Sequence, residues 1–168
     1  MVDEQVLWDD IDQWEDADLA DPENLPTEKR VIGEVTGVEI REARFDRALK
    51  DGRTVVPVIT LTITSRAFAN GERFDDRNYM RSIDADFWVG KPDTIGRNSL
   101  ARLVKQVAGI TEEEAKALGL RRSALMLKGA LVSFDVEHQE SKKVKGLMFQ
   151  RATRIKPATD QERALLMA

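Results

Sequence analysis

Residues 55–64 alternate with a two-residue period, placing Pro57, Ile59, Leu61 and Ile63 on one side and Val56, Val58, Thr60, Thr62 and Thr64 on the other. β-Branched side chains suit a pleated, half-buried surface, so this stretch predicts the strongest strand of the chain, with Pro57 at its start or on an edge. Residues 30–41 read as the strand before it, with Gly33 or Gly37 at a bulge or bend, and Asp51-Gly52 supplies the turn between them. A second turn at Asn70-Gly71 leads to residues 73–88, where a third strand is expected around Tyr79 to Phe87. The three together predict an antiparallel meander.

The period then changes. Leu100, Leu103, Val104 and Val107 are spaced as one helical face, with Asn98 or Ser99 as candidate caps and Gly109 as a stop. Thr111 to Glu114 is a capping box that opens a second short helix ending near Gly119. Strand character returns over Leu125 to Glu137, where Ala130, Val132, Phe134 and Val136 alternate with polar neighbours. A basic hairpin tip, residues 140–146, joins it to a last strand over 147–155; Pro157 stops the sheet, and Thr159 and Glu162 cap a C-terminal helical turn. Three strands, a helical insertion and a two-stranded hairpin give a mainly β chain. The order is that of a five-stranded Greek-key OB-like barrel with its helices between strands 3 and 4. The expected organisation is an extension over residues 1–28, a domain over 29–157 and a helical turn over 158–168.

Charge divides the chain in the same place. Residues 1–28 hold eleven carboxylates and no lysine or arginine, so that a chain of net charge −4 contains a body of +7. Within the extension Leu7, Ile11 and Trp14 fall on one face of a short helical pattern beside Trp8, which suits an acidic arm that folds against a partner. A basic body with a tethered acidic arm points to a polyanionic ligand.

Composition removes other classes. There is no cysteine, which excludes disulfides, zinc-thiolate sites and cysteine nucleophiles. No uncharged run approaches the ~20 residues of a membrane helix, and residues 1–5 show no secretory signal pattern, so a cytoplasmic location and no membrane partner are expected.

Residues 33–43, 58–64, 100–109 and 127–136 together resemble the small phage-encoded OB-fold proteins of replication and recombination gene sets, some of them single-stranded DNA-binding proteins. The resemblance spans residues 30–157. It implies a non-enzymatic protein without cofactor that coats single-stranded DNA during phage-type replication or recombination. RNA is the alternative ligand, and self-association is compatible with the class. Such proteins usually carry an acidic, protein-recruiting tail at the C-terminus, whereas here the acidic segment is N-terminal. The arm is therefore expected either to compete with DNA or to recruit replication or recombination proteins through Leu7, Trp8, Ile11 and Trp14.

Single-strand binders need cations along a groove and flat aromatic faces for bases. Candidates are Arg41, Arg44, Arg47, Lys50 and Arg53 around the first hairpin, and Arg73, Arg77, Tyr79, Arg81 and Trp88 in the third-strand region. Lys142, Lys143 and Lys145 at the late hairpin, with Arg151 and Arg154 on the last strand, complete the set. Tyr79 is the preferred stacking residue because its neighbours are polar. Trp88 divides evenly between stacking and packing, while Phe134 and Phe149 are expected in the core. Two other readings compete: a β-barrel scaffold in a virion or regulatory assembly, and a metal-dependent nuclease built on Asp84 and Asp86 or on Asp75 and Asp76. His138 is the single histidine, so a Ser/His/Asp arrangement would rest on it alone; Asp135, Glu137 and His138 could hold a metal in principle, but His138 alternates away from the two acids, which favours an exposed strand end.

Overall fold

The computed structural model describes residues 22–45, 47–49, 51–74, 79–89, 95–141 and 143–167. The arm residues Leu7, Trp8, Ile11 and Trp14, and also Lys50, Asp75, Asp76, Arg77 and Lys142, lie outside the described residues. The chain is mainly β. Five strands form one mixed sheet: β1 (Val31–Arg44), β2 (Val55–Phe68), β3 (Ser82–Phe87), β4 (Leu131–Glu140) and β5 (Met148–Pro157). Helices α1 (Ile95–Ala108), α2 (Glu112–Leu118) and α3 (Leu120–Leu125) lie between β3 and β4, and α4 (Asp160–Met167) follows β5.

The strands follow one another as β1-β2-β3-β5-β4, and β4 returns to β1, which closes a ring. Both β1 and β2 are long enough to curve round it, and two register shifts in β1, at Ile32/Gly33 and Val35/Gly37, supply the bends expected of the two glycines. Gly33 is also required by contact. A Cβ there would lie 2.7 Å from Ile63 Cγ2 and 2.8 Å from the Thr64 carbonyl. Pro57 falls at the start of β2, before the stretch that pairs with β3, so its missing N–H breaks no ladder on that side.

Ile59, Leu61 and Ile63 face a core shared with Val31, Val35, Ile83, Val132 and Phe134. α1 lays its Leu100, Leu103 and Val104 face on that core. The helix begins at Ile95, so Asn98 and Ser99 lie inside it rather than capping it. Gly96 explains the earlier start: a Cβ there would come within 2.7 Å of the Trp88 backbone, so the first turn is pressed onto the end of β3. Thr111 caps α2 as its spacing predicts, accepting a 3.1 Å bond from the Glu114 N–H. Strand character does not resume at Leu125. Buried Ala124 and Leu127 continue a helical spacing while Leu125 and Met126 are exposed, and a turn closed by Gly129 at φ +89° delays β4 to Leu131. At the C-terminal helix both halves of the Thr159/Glu162 capping box form, at 3.0 and 3.1 Å.

The parallel neighbours β3 and β5 share a single ladder pair, Asp84 with Arg151. Their seam is filled by residues assigned from sequence to the extension: Leu25 is fully buried in the core and Glu23 bridges to Tyr79. Gln150 ties this together. Its carbonyl accepts from the Leu25 N–H at 2.9 Å, and its amide donates to the Met80 and Ser82 carbonyls. The Leu25 carbonyl accepts from His138 Nε2 at 2.7 Å. The body therefore includes Glu23 and Leu25, ahead of the boundary at residue 29. Gln150 takes the inward position of β5, and Phe149, expected in the core, points outward at 47% exposure.

Farther along β5, Arg154 adopts φ +51° beside a register shift against β4. A non-glycine residue there costs roughly 1–3 kcal/mol and needs surrounding support. Arg30 supplies it: its guanidinium donates to the Arg154 carbonyl at 2.8 Å, the Ser133 carbonyl at 3.0 Å and the Asp135 carboxylate at 3.1 Å.

Gln150→Leu would leave the buried Leu25 N–H and the part-buried Met80 and Ser82 carbonyls without their side-chain partner. The expected loss is about 2–4 kcal/mol in urea unfolding, with the midpoint falling at unchanged slope.

Candidate nucleic-acid interface

Positions of β2 and β3 that alternate away from the core carry threonines and aspartates, and these meet arginines from β1 and β5. Asp86 is the hub. It accepts from Thr60 Oγ1 at 2.8 Å and pairs with Arg41 at 3.1 Å and with Arg151 at 3.4 Å. Arg41 Nε also donates to Thr60 Oγ1 at 2.9 Å, while Asp84 accepts from Thr62 at 3.1 Å and lies 3.9 Å from Arg151. The result is a strip across four strands in which two arginines are each held by a carboxylate. Asp84 and Asp86 do share a face, but their oxygens are directed at hydroxyls and guanidinium groups. Among the described residues no three of His, Asp and Glu cluster as metal ligands.

One hairpin lies at each end of this strip. The antiparallel pairing of Ile59 with Phe87 puts the β1–β2 loop beyond the C-terminal end of β3, and the parallel pairing of Asp84 with Arg151 puts the β4–β5 loop beyond its N-terminal end. At the first hairpin Arg44 and Arg47 are exposed, and Arg53 is bound to Asp51. Hydrogen bonds from Arg53 hold the Asp51 carboxyl below its usual range, so that guanidinium charge is already matched. At the second hairpin Lys143 and Lys145 are exposed; the tip is ordered by Ser141 Oγ, which accepts from the Lys143 and Val144 N–H groups at 3.2 Å. Arg44, Arg47, Lys143 and Lys145 at the hairpins, and Arg102 and Lys156 farther off, have no carboxylate within ion-pair distance among the described residues, nor do Arg81, Arg97, Lys105, Arg121, Arg122, Lys128 and Arg163.

The aromatic candidates separate. Tyr79 is half-buried, edge-on to Phe68 and Phe74 at 5.9 and 5.6 Å, under the segment that begins at Glu23. Its polar sequence neighbours gave no sign of this packing. Trp88 stands at the first-hairpin end of the strip, its ring 5.6 Å from that of Phe45. Phe149 is exposed on the same side of β5 as Arg151, two residues on, which sets an open aromatic face beside the strip at the second-hairpin end. Phe134 is fully buried, as expected.

Arg73 and Arg81 are elsewhere. They line a cavity of about 490 Å³ with Arg66 and with Leu165 and Leu166 of α4, and Arg81 also lies 5.4 Å over the Phe74 ring. The candidates therefore form one strip with two hairpins, plus a separate group near α4. Arg154 leads into a groove between β3, β5 and α1 that also holds Arg102 and Lys156. The roles of Thr60, Thr62, Asp84 and Asp86 as the frame of the strip were missed from sequence, although their two-residue spacing on paired strands carries the signal.

No helix among the described residues is long and apolar enough to cross a membrane. The chain matches no protein-family model, and no curated protein matches it.

Asp86 is only 15% exposed at its side chain and satisfies three partners. Asp86→Ala is expected to lower stability by roughly 1–3 kcal/mol in chemical denaturation, while Asp86→Asn, which keeps an acceptor for Thr60, costs less.

Proposed function

We propose that the chain is an OB-type barrel that binds single-stranded DNA without catalysis, along the strip and between its two hairpins. The observation that carries this reading is the contrast in charge pairing along the strip. Arginines at the centre are held by aspartates, whereas Arg44 and Arg47 at one end and Lys143 and Lys145 at the other have no acidic partner among the described residues. The strand order and the position of the helices fit the OB class, in which the strand 2–3 face and the loops between strands 1 and 2 and between strands 4 and 5 contact oligonucleotides. Hairpin cations contact phosphates. The paired arginines, pre-oriented by Thr60 and Asp86, offer remaining N–H donors, and Phe149 and Trp88 supply apolar faces for bases. Nothing in this arrangement selects a base sequence, which suits a coating protein of phage-type replication or recombination in the host cytoplasm.

The acidic arm joins the body at the seam, where Asn24 donates to the Met148 carbonyl at 3.3 Å beside the second hairpin. Its root thus lies at the start of β5, at the second-hairpin end of the strip. From there the arm acts as a tethered competitor for the hairpin cations or presents Leu7, Trp8, Ile11 and Trp14 to replication or recombination proteins. A second reading, a docking scaffold, draws on the exposed apolar side chains Ile40, Leu118 and Leu125 beside Arg121 and Arg122. It predicts discrete assemblies free of nucleic acid.

With about four phosphate contacts, affinity for oligo-dT is expected to fall roughly 50-fold between 50 and 200 mM salt. Replacing Arg44, Arg47, Lys143 and Lys145 by glutamine should flatten that dependence; binding that ignores both salt and these changes would contradict the proposal. Removal of residues 1–21, which spares Leu25 in the core, should tighten binding several-fold if the arm competes and leave it unchanged if the arm only recruits.

A further inference from the structure

β3 and β5 touch at one ladder pair and then diverge, and α1 crosses the gap with its first turn seated on the Trp88 backbone at Gly96. The left-handed residue Arg154 marks where β5 departs from its regular pairing with β4. What remains between the three elements is an open groove of about 630 Å³. This is the size of an ordinary small-ligand site.

The lining has two characters. Its apolar part comes from the ends of the strands and one side of α1, including Phe87, Trp88 and Leu103. Its polar part is cationic: Arg102 from α1 with Arg154 and Lys156 from β5. Asp86 is the carboxylate of the groove, and it is already committed to Arg41 and Arg151. Arg154 lies 3.7 Å from Asp135, and no acid pairs with Arg102 or Lys156 among the described residues. The hydroxyl of Thr153, also in the lining, is buried and makes no hydrogen bond. A cationic rim beside an apolar wall is complementary to a flat ligand that carries negative charge.

We infer that this groove is a nucleotide-binding subsite, which takes one base against the Phe87 and Trp88 wall with its phosphate on Arg102 and Lys156. Through the Phe45–Trp88 contact the groove adjoins the first hairpin, so it extends the strip at that end. Its role as the end of a strand path rests on the single-strand reading. Its capacity for a mononucleotide does not.

The experiment uses the full chain with Trp8→Phe and Trp14→Phe, which leaves Trp88 as the single tryptophan. Fluorescence is titrated with thymidine 5′-monophosphate and, separately, with oligo-dT. Both ligands are expected to quench Trp88. Adding Arg102→Ala and Lys156→Ala should weaken the mononucleotide about tenfold and the oligonucleotide by less, with thermal unfolding confirming that the variant folds. If oligo-dT binds unchanged by the double variant and millimolar mononucleotide leaves Trp88 unquenched, the groove assignment is overturned and the single-strand reading stands. Mononucleotide quenching without oligonucleotide binding supports the groove and removes the single-strand reading. Absence of both effects refutes both.

Discussion

A closed ring made of parallel and antiparallel neighbours has a weak joint where the parallel strands meet, and here the side-chain amide of Gln150 holds that joint. β3 and β5 contribute one ladder pair, too few to exclude water or fix their separation. Gln150 replaces the missing ladder by bonding the backbone of Leu25, Met80 and Ser82 at once. Leu25 then closes the core from below, and the chain leading to it supplies a short parallel bridge to Tyr79. Above the joint the strands part, and α1 stands across the opening. The seam thus fixes both the segment that leads to Leu25 and the groove at the opposite end.

Charge is distributed to match. Carboxylates sit where arginines must be oriented, at Asp84 and Asp86 on the strip, at Asp51 in the first hairpin and at Asp135 beside the Arg154 turn. Among the described residues, cations without such partners lie at the two ends and along the groove, and also on the helices, at Arg97, Lys105, Arg121, Arg122 and Arg163. An arginine shared with a carboxylate is a rigid donor with little net field, while an unmatched lysine on a hairpin is a mobile charge with a longer reach. A polyanion would therefore be drawn by the ends and aligned by the middle.

Much of the fold was legible in local pattern. The alternation at Ile59, Leu61 and Ile63, the helical face at Leu100, Leu103 and Val104, and the boxes at Thr111 and Thr159 each carry their structure in a few adjacent residues. What was not legible depends on distant partners. Leu25 looked like part of an acidic extension because its burial is decided by Gln150, 125 residues away. Phe149 looked like core because alternation gives a phase but not a sign, and here the polar Gln150 holds the inward phase. Tyr79 looked exposed because its sequence neighbours are polar, yet Phe68 and Phe74 reach it from another strand and a loop. The candidate cations were legible as a set, but not their division between the strip and the α4 cavity.

Two-dimensional ¹H–¹⁵N spectra titrated with oligo-dT locate the contact surface residue by residue. Shifts are expected to concentrate at residues 41–55, 84–88 and 143–154, which trace both hairpins and the strip between them. Shifts confined to Arg73, Arg81 and α4, or no shifts at all, would contradict the strip as the binding surface.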